Sequence, residues 1–120
     1  MSYADIKNAL AIIENPVDKL EFVMDLGKTL DAVPADAKCT EIFGCASFVQ
    51  ICEKDGHFYG RADSLMVRGI VAIILAMVAG KSIKEIKQTD LLGEFNSLNL
   101  NFGAGRLNGI QSMISFFKNL

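Results

Sequence analysis

Clustered positive charge is missing from this 120-residue chain: 12 Lys and Arg are outweighed by 14 Asp and Glu, and no basic stretch stands out. Nucleic acid, which is held through such a patch, is not an expected partner. The N-terminus, Met1-Ser2-Tyr3-Ala4-Asp5, lacks the basic region, apolar run and small-residue cleavage site of a secretory signal, so a cytoplasmic location is expected. The apolar run from Gly69 to Ala79 falls well short of the ~20 residues that span a bilayer, so no membrane segment is expected. Histidine is reduced to His57, and cysteine to Cys39, Cys45 and Cys52. An odd cysteine count in a reducing compartment argues against a disulfide framework and leaves at least one thiol free. The spacing Cys39-x5-Cys45-x6-Cys52 fits no common zinc pattern, and His57 adds no convincing fourth ligand. A close Cys-x-x-Cys pair is absent too, which counts against a thiol peroxidase or other redox enzyme.

What is present reads as one domain over residues 1–120, with 51% hydrophobic and 22% charged residues and no repeat, low-complexity tract or linker. Ser2-Tyr3-Ala4-Asp5 has the form of a capping box, with Ile6, Leu10 and Ile13 following at helical spacing. Asn15-Pro16 opens a second helix that is predicted to run to about Leu30 before Pro34. From Lys38 the pattern turns to strand. A short strand leads into Gly44-Cys45, a second covers Phe48 to Lys54, and Asp55-Gly56 has the chemistry of a two-residue type I′ turn returning through His57 to Ala62.

That turn predicts that Lys54 pairs with His57, Cys52 with Tyr59, Gln50 with Arg61 and Phe48 with Asp63, which brings Asp63 back beside the Cys45 end of the hairpin. Val49, Ile51, Phe58, Gly60 and Ala62 then face helices, while Gln50, Cys52, Lys54, His57, Tyr59 and Arg61 face away. A buried helix follows from Asp63-Ser64 to Gly80. Short helices are capped by Ser82 and by Thr89-Asp90, Asn96 to Gly105 reads as a loop, and Arg106 to Lys118 as an amphipathic helix. The predicted architecture is α+β: a small antiparallel sheet of about three strands covered on one face by helices.

The stretch Ile42-Phe43-Gly44-Cys45-Ala46-Ser47-Phe48-Val49 is where chemistry is expected. Glycine and small residues allow a tight loop with the thiol at its tip, a good place for a reactive group. Buried cysteine is commonly just a small hydrophobe, and Cys39 and Cys52 are read that way. His57 reads as a solvated strand residue, and Met66 and Met77 as core filler.

Gly44-Cys45-Ala46-Ser47-x-Val49, Ala62-Asp63-Ser64 running into Val67-x-Gly69, and Gly105-Arg106-Leu107-Asn108-Gly109 together resemble the SufE family of sulfur-acceptor proteins, from about Val17 to the C-terminus. The chain departs from the family pattern at Ala46 and Gln50, where Gln and Trp are frequent, and at Ala104-Gly105, where Pro-Ser is common. The resemblance implies an α+β fold of the SufE/IscU kind and a role in iron–sulfur cluster assembly. In that role the protein accepts sulfane sulfur from a cysteine desulfurase of the SufS or CsdA kind and stimulates it.

By the same resemblance Cys45 is the acceptor, and Asp63 and Arg106 are supporting residues. Arg106 or the N-terminus of the Ser64 helix is a candidate source of positive potential for the thiolate, and Asp63 a helix cap or an acceptor for the loop's N–H groups. The implied protein is not an enzyme in its own right and has no cofactor or metal of its own, since pyridoxal phosphate belongs to the desulfurase. It is expected to be a monomer that passes sulfur to an iron–sulfur scaffold or another acceptor. An IscU-like cluster scaffold is the alternative; it would need several cysteine ligands, and Cys52 on a strand facing away from the helices counts against it.

Overall fold

Short polar side chains open the helices at the expected places. In α1 (Tyr3–Ile12) the Ser2 hydroxyl accepts from the Asp5 N–H, and the Asp5 carboxylate accepts from the Ser2 N–H, both at 3.2 Å. In α2 (Pro16–Gly27) Asn15 Oδ1 accepts from the Val17 N–H at 2.8 Å, with Pro16 taking the position that needs no donor. The computed structural model describes the whole chain except Ala46 and the side chains of Ala104 and Gly105, so the sequence departures at those three positions lie outside the described residues.

Strands β1 (Lys38–Glu41), β2 (Val49–Lys54) and β3 (His57–Ala62) form one antiparallel sheet in that order. Asp55 and Gly56 both have positive φ, 53° and 82°, as a type I′ turn requires. The register follows from it: Lys54 lies opposite His57, Cys52 opposite Tyr59 and Gln50 opposite Arg61, and the Asp63 N–H donates to the Phe48 carbonyl at 3.3 Å. On the face away from the helices, Arg61 Nη1 donates to Gln50 Oε1 at 3.2 Å, and Lys54 Nζ lies 2.8 Å from the Asp36 carboxylate.

The apolar run becomes α3 (Leu65–Val78), capped by the Ser64 hydroxyl and buried at Val67, Ile70, Val71, Ile73, Ile74, Met77 and Val78. Apolar residues all round its axis fit an element lying between the sheet and other helices. Glycines set the spacing on both sides. A Cβ on Gly69 would sit 2.6 Å from Val23 Cγ1, one on Gly27 would sit 2.8 Å from Arg68 Cβ, and Gly60 of β3 lies directly under Val71.

Helices α4 (Ile83–Gln88) and α5 (Leu91–Ser97) are short, and α6 (Ala104–Lys118) closes the core, its Phe117 ring edge-on to Phe58 of β3 at 5.1 Å. Tyr3 of α1 donates to Glu94 of α5 at 2.8 Å; burial and that carboxylate push the tyrosine hydroxyl's pKa well up. No helix among the described residues is long and apolar enough to cross a membrane.

Two expectations are corrected. The second helix stops at Gly27 rather than near Leu30, because the Thr29 hydroxyl takes the Leu26 carbonyl at 2.6 Å and the Thr29 N–H bonds to it as well. Cys39 and Cys52, read as free buried hydrophobes, form a disulfide with Cα atoms 4.0 Å apart. The cause is register: the Ile42 N–H donates to Val49 O, so the facing pair Cys39 and Cys52, an odd number of steps along, falls at a non-hydrogen-bonded position, where side chains approach most closely.

Gly69→Ala tests the glycine spacing. Alanine raises helix propensity by up to ~1 kcal/mol, but the group it strikes includes the Val23 main chain, 2.6 Å away at its carbonyl carbon, which cannot rotate aside. Urea unfolding should show a net loss of about 1–3 kcal/mol, the usual cost of overpacking.

Candidate thiol site on the β1–β2 loop

The loop between β1 and β2 is anchored at both ends. Ile42 is buried and its N–H donates to Val49 O at 2.9 Å, while Phe48 is held by the Asp63 N–H. Gly44, at φ 92°, turns the chain between them; a Cβ there would also meet Ser112 Oγ of α6 at 2.6 Å. The turn lays Cys45 against α6, half-buried, with Sγ 3.8 Å from the Gly109 carbonyl oxygen, to which the thiol donates. Gly109 makes this approach tolerable, since a Cβ on it would stand 3.1 Å from the sulfur. Phe43, by contrast, is 77% exposed beside the thiol.

Burial pushes the Cys45 thiol's pKa up. A hydrogen bond from S–H to a neutral carbonyl also favours the protonated form. The resting seat therefore holds a thiol rather than the thiolate that does nucleophilic chemistry. The Ser47 hydroxyl is buried in the same loop without a hydrogen-bond partner among the described residues, an arrangement that costs about 1–3 kcal/mol.

Arg106 stands in the first turn of α6, half-buried, its N–H donating to Gly103 O at 3.3 Å. It precedes Gly109 by three residues, so the two share a side of the helix. Asp63 is exposed and reaches the loop through its main chain at Phe48 rather than through its carboxylate. The cap expected of it belongs to Ser64, whose Oγ accepts from the Val67 N–H at 3.4 Å. The Asp63 side chain lines a cleft of about 470 Å³ with Lys28, Asp31, Phe48, Arg61 and Arg68.

Gly109 and Ser112 were not singled out as the thiol's seat by sequence reasoning, although Gly109 closes the Gly105-Arg106-Leu107-Asn108-Gly109 motif and Ser112 follows it one turn on. Among the described residues no group of three or more His, Cys, Asp and Glu is gathered to hold a metal ion, and two of the three cysteines are bonded to each other. Nothing here favours a cluster scaffold.

Residues 4–120, which hold this loop, its seat, Asp63 and Arg106, match the family model SufE, the Fe-S metabolism associated domain. The chain belongs to the SufE family. Among similar proteins, an uncharacterized SufE-like protein of Rhizobium meliloti (strain 1021) is 33% identical over 129 aligned positions, covering 98% of this chain and 92% of the relative. The sulfur acceptor protein CsdE of Escherichia coli (strain K12) is 31% identical, with 90% and 80% covered. The cysteine desulfuration protein SufE of Wigglesworthia glossinidia brevipalpis is 30% identical, with 94% and 84% covered. The SufE match begins at residue 4, so the family likeness takes in α1 as well, earlier than the Val17 start read from motifs.

Two substitutions test the seat through the pH dependence of Cys45 alkylation by iodoacetamide. The wild-type rate should rise with a midpoint above that of free cysteine, because burial raises the pKa. Gly109→Ala, by crowding the sulfur out, should bring the midpoint down and speed alkylation at neutral pH. Ser47→Ala should do the reverse, slowing alkylation by about tenfold if removing the unpaired hydroxyl stabilises the seated loop by ~1.4 kcal/mol.

Proposed function

We propose that this protein is a sulfur carrier that takes persulfide sulfur from a cysteine desulfurase onto Cys45, stimulates that enzyme, and passes the sulfur on for iron–sulfur cluster assembly. The observation that supports it is the free thiol of Cys45 at the tip of a glycine turn, seated on α6, in a chain whose relatives include a sulfur acceptor and a cysteine desulfuration protein. The Cys45 thiolate attacks the outer sulfur of the donor persulfide. A new S–S bond forms at Cys45, the donor's own S–S bond breaks, and the donor cysteine leaves as a thiolate. Cys45 now bears the persulfide, and the proton it gave up earlier is free to neutralise the donor.

The seat shapes the timing of this step. In this reading transfer takes place with the loop lifted, which frees the half-buried thiol from the Gly109 carbonyl it donates to. Arg106, on the same side of α6, then supplies the positive potential that favours the thiolate. Asp63, just after β3, supports the far end of the loop through its main-chain bond to Phe48.

The carrier turns over no substrate by itself. Pyridoxal phosphate stays with a desulfurase of the SufS or CsdA kind, and the next acceptor is an iron–sulfur scaffold or another sulfur-accepting protein. We place the carrier in the cytoplasm as a monomer.

Incubation with a cysteine desulfurase and cysteine, followed by intact-mass measurement, tests the reading. One added sulfur should appear on the wild-type chain and on Cys39→Ser and Cys52→Ser, and none on Cys45→Ser; sulfur retained by Cys45→Ser overturns it. Arg106→Ala should slow transfer by about tenfold, equivalent to ~1.4 kcal/mol of lost charge stabilisation, while the final loading stays the same.

A further inference from the structure

The two cysteines that sulfur transfer leaves unused are joined across the pair of strands that carries the Cys45 loop. Cys39 lies on β1 three residues before Ile42, where the loop begins, and Cys52 on β2 three residues after Val49, where it ends. The bond therefore closes the base of this loop. It is reachable from one side only: all four residues of β1 are exposed, whereas Cys52 has 0% of its surface exposed. Strand β1 is also an edge of the sheet, paired with β2 on one side and with no other strand among the described residues. Without the bond it is an exposed edge strand held by its ladder hydrogen bonds next to water, the kind of segment that opens locally at low cost. Exposed disulfides are the ones that exchange readily with thiols.

We propose that Cys39–Cys52 is a reversible redox site for small or protein dithiols, and that its state sets how firmly the Cys45 loop is seated on α6. The disulfide holds the loop down, and the dithiol form releases it. A thiolate of the reductant attacks Cys39 Sγ, forming a mixed disulfide and expelling Cys52 as a thiolate that takes up a proton. The reductant's second thiol gives up its proton and attacks its own sulfur in the mixed disulfide. Cys39 leaves as a thiolate and is protonated, and the reductant departs as a disulfide. Two electrons have passed from the dithiol to the protein, and an oxidised dithiol reverses the exchange.

From the functional reading the proposal takes only that Cys45 is the reactive thiol. Its test needs no desulfurase, so failure here and failure of sulfur transfer are separate results.

The test uses the full chain in two states, treated with oxidised dithiothreitol or reduced with dithiothreitol, each desalted without oxygen. Iodoacetamide labelling of Cys45 is followed by peptide mass, and amide exchange is followed over residues 40–49. Reduction should speed both about tenfold, well within what closing a loop of this length contributes. Oxidised dithiothreitol should restore the slow rates, and circular dichroism should stay unchanged. Cys39→Ser should be fast under both conditions; if that variant does not fold, the wild-type comparison decides alone. Equal rates in the two redox states, failure of the bond to re-form, or unfolding on reduction would each overturn the proposal.

Discussion

The closeness of α3 to its two neighbours is the constraint on which the rest of the molecule depends. On one side Gly69 lets α3 meet α2 at Val23, with Gly27 adding to the same contact, and on the other Gly60 lets Val71 descend onto β3. Missing side chains at these points allow a helix that is apolar all round to be packed from both sides without voids. With α3 seated, the sheet has a fixed distance from the helical layer. The C-terminal helix can then close the remaining gap, with Phe117 against Phe58.

The thiol site is a consequence of that frame. The hairpin ladder carries Asp63 to Phe48, and the buried Ile42 holds the other end of the loop, so the turn at Gly44 can only fall against α6. There Cys45 meets a carbonyl and a glycine instead of a charge, and burial keeps it protonated. A sulfur carrier gains from this arrangement. Under the proposed role, a half-buried thiol whose pKa is raised by burial is less open to oxidation and alkylation at rest than a free one. The Ser47 hydroxyl, buried without a hydrogen-bond partner among the described residues, weakens the same loop locally.

Membership of the SufE family and the local structure point in the same direction, but they constrain different things. The family match spans residues 4–120 and gives the chain its place among sulfur-acceptor relatives. The structure adds an exposed Phe43 in the loop that carries the thiol and a disulfide across the strands that flank it.

Local chemistry made much of the fold legible in the sequence. Ser2, Asn15, Ser64, Ser82 and Asp90 each cap the helix that follows, and Asp55-Gly56 forms the turn that sets the β2–β3 register. These signals act over a few residues, so a linear reading captures them, including the arrival of Asp63 at Phe48. The candidate thiol was legible for the same reason, through Gly44-Cys45. What could not be read were the encounters between distant segments. The β1–β2 register has no tight turn to fix it, so Cys39 opposite Cys52 emerged only from the folded sheet. The seat of Cys45 on Gly109 joins residues 64 positions apart, and Asp63 stays exposed at the edge of a cleft while Ser64 takes the cap. The sequence by itself determined the elements, their caps and the candidate thiol. Tertiary packing alone decided which atoms surround that thiol, because contacts across the core depend on how helices settle at glycine distances and not on any neighbour in the chain.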